Sequence, residues 1–355
     1  MNLHLSPKVI NELLPTNILF QTGFWGKVKK RVGYEPIAFD INNPKYDADV
    51  LILNQTTADN KVIAYIPQGP EFQPSTENYG IYLEEFSHKL IPHLAPNTSF
   101  IRFDLPWLSP YAQESIDNHA FIPAHSVQEM RMNYGTNSYN LIKSVNDMTV
   151  ASNIAVDITP DEQSILTKMK PKTRYNIGLS KRKGVKTFIA SKEHLPIFYD
   201  LYVQTAQRNK FLTCDYTHFK ALFQVLEQSN EDADIVFIIS CHENDVLAGV
   251  IMTITEKTAL FLFGASSNIK RNLMGSYAVH WEAILQAKAG NCSEYDMGGV
   301  SPTPNPEHPF YGLYCFKTGF GGKITHRVGT WDFPLNHDDY MAYRNAETIL
   351  SGLGG

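Results

Sequence analysis

A single lysine stands among aromatic side chains in the stretch from Tyr295 to Gly322, YDMGGVSPTPNPEHPFYGLYCFKTGFGG. Lys317 has Tyr311, Tyr314, Phe316 and Phe320 around it in sequence. A charged amine in apolar surroundings is costly without an anionic partner. Such a residue suits the stabilisation of a developing oxyanion, or the binding of a phosphate. The competing reading is a core segment whose lysine snorkels to water. The stretch reads as a short strand stopped by Gly298-Gly299, then a loop with Pro302, Pro304, Pro306 and Pro309. An aromatic segment bounded by Gly319, Gly321 and Gly322 follows. Glycines just past a strand let a backbone approach a ligand closely.

Other residues carry chemistry by charge. Residues 163–186 hold Lys168, Lys170, Lys172, Arg174, Lys181, Arg182, Lys183 and Lys186 with no acid between them. Pro171 divides this run into two helices and Gly184 suits a C-cap. At helical spacing Arg174, Gly178 and Lys181 share one face, and Tyr175 and Leu179 another. A solvated helix face is the plain reading, but exposed helices ordinarily mix signs. A phosphate backbone as partner fits the pattern. Trp25-Gly26-Lys27 lies in a second basic cluster with Lys29, Lys30 and Arg31. It reads as an anion-facing lysine beside a stacking indole, or as a solvated helix face. Asp104 lies near the end of the strand SFIRFDLPW, which Pro106 stops, and would bind a substrate amine or hydroxyl, or cap the next turn. Cys214, Cys241, Cys292 and Cys315 are scattered, without a CxxC or a neighbouring histidine at ligand spacing. They read as reduced, mostly buried thiols, with no metal expected. No Ser/His/Asp triad is apparent.

The elements that must position these residues fill 355 residues, a length that suits two domains. The net charge of −5 argues against a whole-surface nucleic-acid binder and leaves room for a local basic patch. No apolar run is long enough to span a bilayer. The N-terminus lacks the pattern of a secretory signal, so a cytoplasmic location is expected. DVLIL and KVIAYIP read as strands, ENYGIYLEEFSHKLIPHL as a helix and MTVASNIAVDI as a strand. Thr159-Pro160-Asp161-Glu162 starts a helix with proline at its first position. One or two helices cover 195–228. Strands at 233–241 and 246–255 form a hairpin. ALFLFGASS is a third strand, and a loop then leads to the helix SYAVHWEAILQAKAG. KITHRVGTW and a terminal helix around DDYMAYRNAETIL close the chain, and no internal sequence repeat is visible.

This strand–strand–strand–loop–helix–strand order resembles the core of the Gcn5-related N-acyltransferase (GNAT) fold. Acetyl-CoA members of that fold need Q/R-x-x-G-x-G/A before the helix, so that backbone N–H groups hold the pyrophosphate. Here the loop reads Arg271-Asn-Leu-Met-Gly275-Ser, off by one and short of a glycine, which suggests an acyl donor other than CoA.

Four segments together, MKPKTRYNIGLSKRKGV, LFGASSNIKRNLMGSYAVHWEAI, YDMGGV and FYGLYCFKTGFGG, resemble the Fem-type (FemA/FemB/FemX) aminoacyltransferases of peptidoglycan bridge synthesis. QTGFWGKVKK and FIRFDLPW are similar to the matching N-terminal pieces, so the resemblance covers about residues 18–335. It is to the compact, FemX-like form without a long coiled-coil insertion. The resemblance implies an α/β (α+β) fold of two side-by-side GNAT-like domains, with mixed sheets flanked by helices. Residues 1–153 plus 331–355 would form the precursor-side domain, and 154–330 the aminoacyl-tRNA side with the catalytic stretch.

The implied reaction moves an amino acid from aminoacyl-tRNA to the stem-peptide amine of a peptidoglycan precursor, either a muramyl nucleotide or lipid II, without a cofactor. Contact with a membrane would be peripheral, with no stable insertion. By resemblance Lys27 is a phosphate-contacting lysine of the precursor site, with Trp25 beside it, and Asp104 an acid of the substrate channel. Lys317, next to Phe316, is held at the reaction centre, and Tyr311 is counted with the substrate-binding residues. The family's second phosphate contact, an arginine, falls at Cys214, with Arg208 as the nearby replacement. Lys170, Lys172, Arg174, Lys181, Arg182 and Lys183 would contact tRNA. A CoA-dependent GNAT N-acyltransferase and a non-catalytic tRNA- or precursor-binding protein are the alternatives.

Overall fold

The computed structural model describes residues 3–43, 46–112, 123–228 and 231–353. The chain divides into two compact units. The first holds residues 1–14, 20–151 and 326–355, and the second holds 15–19 and 152–325. Three short pieces, 15–19, 152–153 and 326–330, thus differ from the expected division at 153/154 and 330/331. Residues 326–330 belong to the first unit because they lie within a strand paired to it. Residues 15–19 belong to the second because Asn17 accepts hydrogen bonds from the Thr255 hydroxyl and the Lys257 amide through its carbonyl and side-chain oxygens.

The sheet of the first unit runs β1 (His4–Lys8), β2 (Glu35–Asn43), β3 (Tyr46–Thr56), β4 (Val62–Ile66), β5 (Thr98–Leu108) and then β13 (Lys323–Pro334), with the short β6 (Ile142–Lys143) also on β13. Among its described strands only β4 and β5 pair in parallel, so a crossover must join them. The helix α2 (Tyr79–Leu90) makes it. Helix α1 (Gly23–Arg31) starts where the Thr22 hydroxyl accepts the Trp25 amide. Helices α3 (His125–Met132) and α10 (His337–Leu353) complete the unit. Tyr82, Phe86, Phe103, Trp107 and Trp331 fill its core. Each such side chain contributes about 1.5–3 kcal/mol on burial.

Proline does not stop β5 at residue 106, because the strand continues to Leu108. Opposite it the register of β13 slips between Arg327 and Gly329, and such an irregularity accommodates a residue without an N–H.

The second unit runs β8 (Lys186–Ile189), β9 (Asp234–His242), β10 (Asp245–Thr255), β11 (Thr258–Ser266), β12 (Glu294–Gly299) and then β7 (Ser152–Asp157). Again a single neighbouring pair, β11 with β12, is parallel. Its crossover is α8 (Gly275–Ala289). Helices α4 (Glu162–Lys168), α5 (Pro171–Arg182), α6 (Leu195–Asn209), α7 (Tyr216–Leu226) and α9 (Tyr311–Thr318) pack around it. The two units follow the same strand path although the sequence shows no repeat. Each is a mixed sheet with helices, an α/β arrangement.

The expected helix start at Pro160 moves two residues on. Asp161 is the N-cap of α4, its carboxylate accepting the Ser164 amide, so Pro160 lies outside. Pro171 does open α5, and Gly184 follows its C-cap with φ of +79°. β7 is shorter than the expected strand and begins at Ser152. β1 and β2 were not foreseen. All four cysteines are free, but only Cys292 is buried and Cys315 is exposed.

Candidate functional site

The parallel pairing of β11 and β12 lasts only from Thr258–Leu260 to Glu294–Asp296, though both strands run on. Lys317 reaches this opening from α9. Its Nζ donates to the Gly299 carbonyl at 2.5 Å and lies 5.4 Å from the centre of the Phe261 ring. The side chain is 4% exposed, so it does not snorkel to water. Gly298-Gly299 does not stop β12. The strand includes both, and its register on β7 slips between Asp296 and Gly299. Gly298 takes up the slip at φ +74°, a conformation that glycine adopts without steric cost.

An aromatic wall backs the lysine. Phe316 packs on Tyr277, His280 and Phe320, with ring centres 5.0, 5.3 and 5.4 Å apart. His280 lies 3.0 Å from the Tyr295 hydroxyl through Nδ1. Burial pushes the Lys317 amine down to about 8, with the Asp296 carboxylate working the other way. Burial, aided by the charge of Lys317, pushes His280 down to about 3. A histidine held neutral and a lysine that titrates near neutrality thus share one enclosure. That pairing suits proton transfer and charge stabilisation. Asp296 and His280 were not singled out from sequence, and Gly298 was read there as part of a strand stop. The Asp-x-Gly spacing was the available signal, since aspartate readily accepts the amide two residues on.

Asp104 sits where β4 and β5 part. The last paired residues are Ile66 and Phe103, and the Asp104 carbonyl accepts the Gly69 amide. Its carboxylate caps no turn. It accepts the hydroxyls of Thr149 (2.7 Å) and Thr330 (3.4 Å) and is 1% exposed. Burial raises its pKa, and Arg327 partly offsets this.

Trp25 is buried, so its indole offers no stacking face to a ligand, and Lys29 rather than Lys27 lies over its ring, at 5.1 Å. The reason is helical spacing, which sets Trp25 and Val28 on the core side of α1. Lys27 is half-buried on the same helix. Arg208 is engaged, donating to the Ser266 carbonyl and hydroxyl and to Asn268. The Cys214 carbonyl accepts the Tyr199 hydroxyl. Tyr311 stacks on Tyr314, with ring centres 6.5 Å apart.

The basic helices divide. Lys172, Lys181, Arg182 and Lys183 are exposed on α5 and its C-cap, and Arg182 covers the Tyr175 ring. Lys170 donates to the Thr318 hydroxyl. Arg174 donates to the Thr167 and Met169 carbonyls and so fastens the end of α4. Arg174 thus has a structural task that the sequence reading did not give it.

The loop before α8 is governed by packing. A Cβ at Gly275 would meet the Leu247 Cβ at 2.6 Å, which accounts for that glycine without a ligand. Among the described residues no cluster of His, Cys, Asp or Glu could hold a metal. A partly open pocket of the first unit, lined by Tyr79, Arg131 and Trp331 among others, contains none of the candidate residues.

The FemAB family model matches residues 12–238 and 228–348. The lipid II:glycine glycyltransferase of Staphylococcus saprophyticus is 22% identical, over 55% of this chain and 61% of that protein. The crystal structure of FemX has a TM-score of 0.72 at 16% identity, covering 94% of this chain and 96% of that one. A tandem GNAT protein from the clavulanic acid biosynthesis pathway reaches 0.50 at 11% identity, over 93% and 98%. These likenesses in structure fix the fold as tandem GNAT-like.

Proposed function

The chain belongs to the FemAB family, and from that premise we propose that it is a tRNA-dependent aminoacyltransferase. It moves an amino acid from aminoacyl-tRNA to the stem-peptide amine of a peptidoglycan precursor, as a muramyl nucleotide or as lipid II. The observation that carries this reading is the buried amine of Lys317 at the opening of β11 and β12. The name of the Staphylococcus saprophyticus relative supports the acyl class and a lipid-linked acceptor.

The chemistry asks little beyond positioning. The acceptor amine attacks the ester carbonyl, the carbonyl oxygen gains charge, and the carbon–oxygen bond to the ribose then breaks as the amide forms. The proton lost by the amine ends on the ribose oxygen. An ester is already activated, so oxyanion stabilisation and orientation supply most of the rate. Lys317 as an ammonium donates to the oxyanion or to the departing ribose oxygen. An amine with a pKa of about 8 gives up that proton and regains it at neutral pH. The second unit is assigned the aminoacyl-tRNA, whose phosphates meet the exposed cations of α5. The first is assigned the precursor, with Lys27 and Asp104 as its contacts. We assign the work to the cytoplasm, with peripheral membrane contact for a lipid-linked acceptor. Among the described residues no helix is long and apolar enough to cross a membrane.

The CoA-dependent alternative loses support at Gly275, where packing explains the glycine. Labelled aminoacyl-tRNAs, offered with a muramyl nucleotide or with lipid II, test the proposal directly. Transfer abolished by ribonuclease pretreatment is the expected result. Transfer that survives complete removal of tRNA overturns it.

A further inference from the structure

The surroundings of Lys317 are built on Asp296. On β12, Asp296 pairs with Ala155 and Gly299 pairs with Asn153. Three steps on one strand therefore match two on the other, a bulge of one residue. The Asp296 Oδ1 accepts the Gly298 amide at 2.7 Å across that bulge. Its Oδ2 accepts the Asn153 side-chain amide at 2.9 Å. A Cβ on Gly298 would lie 3.9 Å from the Lys317 Nζ, so the bulge is in contact with the amine. The next carbonyl, Gly299, is the one that the amine bonds.

We propose that Asp296 is the positioning residue for Lys317, its carboxylate fastening the bulge that turns the Gly299 carbonyl onto the amine. The inference rests on the reading of Lys317 as the charged group of the transfer. Asp296 also supplies the nearest negative charge. His280 of α8, which feels the amine's charge, and the Tyr295 hydroxyl beside its ring are both held neutral by burial. The Lys170 ammonium, just before α5, bonds Thr318 next in sequence to Lys317. Removing the carboxylate charge therefore leaves no anion among these groups to hold the proton on Lys317, and its titration moves to lower pH.

Two substitutions separate position from charge. Asp296→Asn keeps an oxygen for the Gly298 amide and loses the charge. The Asn153 Oδ1, buried without a partner, then accepts the new amide after a side-chain flip. Asp296→Ala loses both oxygens. NMR of lysine labelled at Cε reads the Lys317 midpoint without any need for activity, and a Lys317→Met variant assigns its signal. The Asn variant is expected to titrate below the wild-type value of about 8. The Ala variant is expected to lose about 10–100-fold in single-turnover rate with KM near wild type, as for a misplaced catalytic group. The Asn variant should keep more of that rate at low pH than at high pH. An unmoved midpoint in both variants overturns the inference, even if either is less stable. A Lys317→Met variant that keeps its rate overturns the functional reading instead, whatever the midpoints do.

Discussion

Two openings in the molecule invite comparison. In each unit one parallel strand pair separates after a few residues, β4 from β5 and β11 from β12. At each a buried ionisable group appears, Asp104 in the first unit and Lys317 in the second. Burial is the largest influence on both and drives both toward neutrality, the acid upward and the amine downward. They differ in how they are held. Asp104 belongs to the strand itself and accepts two threonine hydroxyls. Lys317 comes from a helix outside the pair and is met by one carbonyl and one ring. The backbone opening is thus common property, while its chemistry depends on what is brought to it. The acid is well satisfied and suits holding a substrate. The amine has donors to spare and suits charge that appears during reaction.

The largest effect should fall on the amine. Lys317→Met is expected to lower the single-turnover rate about 10²–10³-fold, roughly 3–4 kcal/mol, with KM for both substrates near wild type. A raised KM with unchanged rate would show instead that the lysine binds a ground-state phosphate. At the other opening Asp104→Asn should act on binding. KM for the acceptor is expected to rise about tenfold, roughly 1.4 kcal/mol, with the rate at saturation retained. Its melting temperature at neutral pH should hold or rise. The sign follows because a carboxylate whose folded pKa is raised favours the unfolded state as pH climbs through that interval. A rate loss equal to that of the lysine variant would erase the distinction between the two sites.

The enclosure of Lys317 has its own pH signature. His280 titrates at about 3 when folded, well below its unfolded value, so the unfolded chain binds more protons between those values. Stability should therefore fall on acidification from about pH 6.5 toward pH 3, by at most about 1.4 kcal/mol per pH unit from this residue. His280→Gln should flatten that slope in chemical denaturation. An unchanged slope would mean that water reaches the ring. The smallest effect belongs to exposed charge. Reversing Lys181, Arg182 and Lys183 to Glu should weaken tRNA binding and reduce its salt slope by about one unit or less per lost contact. An unaltered slope would leave these residues as a solvated face.

How much of this was readable depended on the range of the signal. Pro171, Gly184 and the β9–β10 hairpin were legible because turns and caps are written in neighbouring residues. The burial of Lys317 was hinted at by its aromatic neighbours. β1 was missed because His4 pairs with Asn42, across a gap that no local pattern bridges. The burial of Trp25 was masked by the lysines around it, although Phe24 and Val28 sit at core spacing on the same helix. Asp296 showed only its Asp-x-Gly spacing, a local turn signal. Its role requires Asn153, Gly298 and Lys317 together, and only the folded sheet assembles them. The shared path of the two units was hidden likewise, because pairing order is set by patterning and crossover length rather than by residue identity.

The hydrogen bond from Lys317 to Gly299 spans 18 residues. It ties together the two ends of the proline-rich segment between them, where Pro302, Pro304, Pro306 and Pro309 lie. Closing a longer loop costs only about 0.6 kcal/mol per doubling of its length. By closure entropy alone the exposed stretch 304–307 can lengthen or shorten while the amine stays where it is. That stretch is a replaceable part, open to changes of length that leave the Lys317–Gly299 contact beneath it intact. Insertions there should leave β12 and the pairing of Gly299 with Asn153 unchanged.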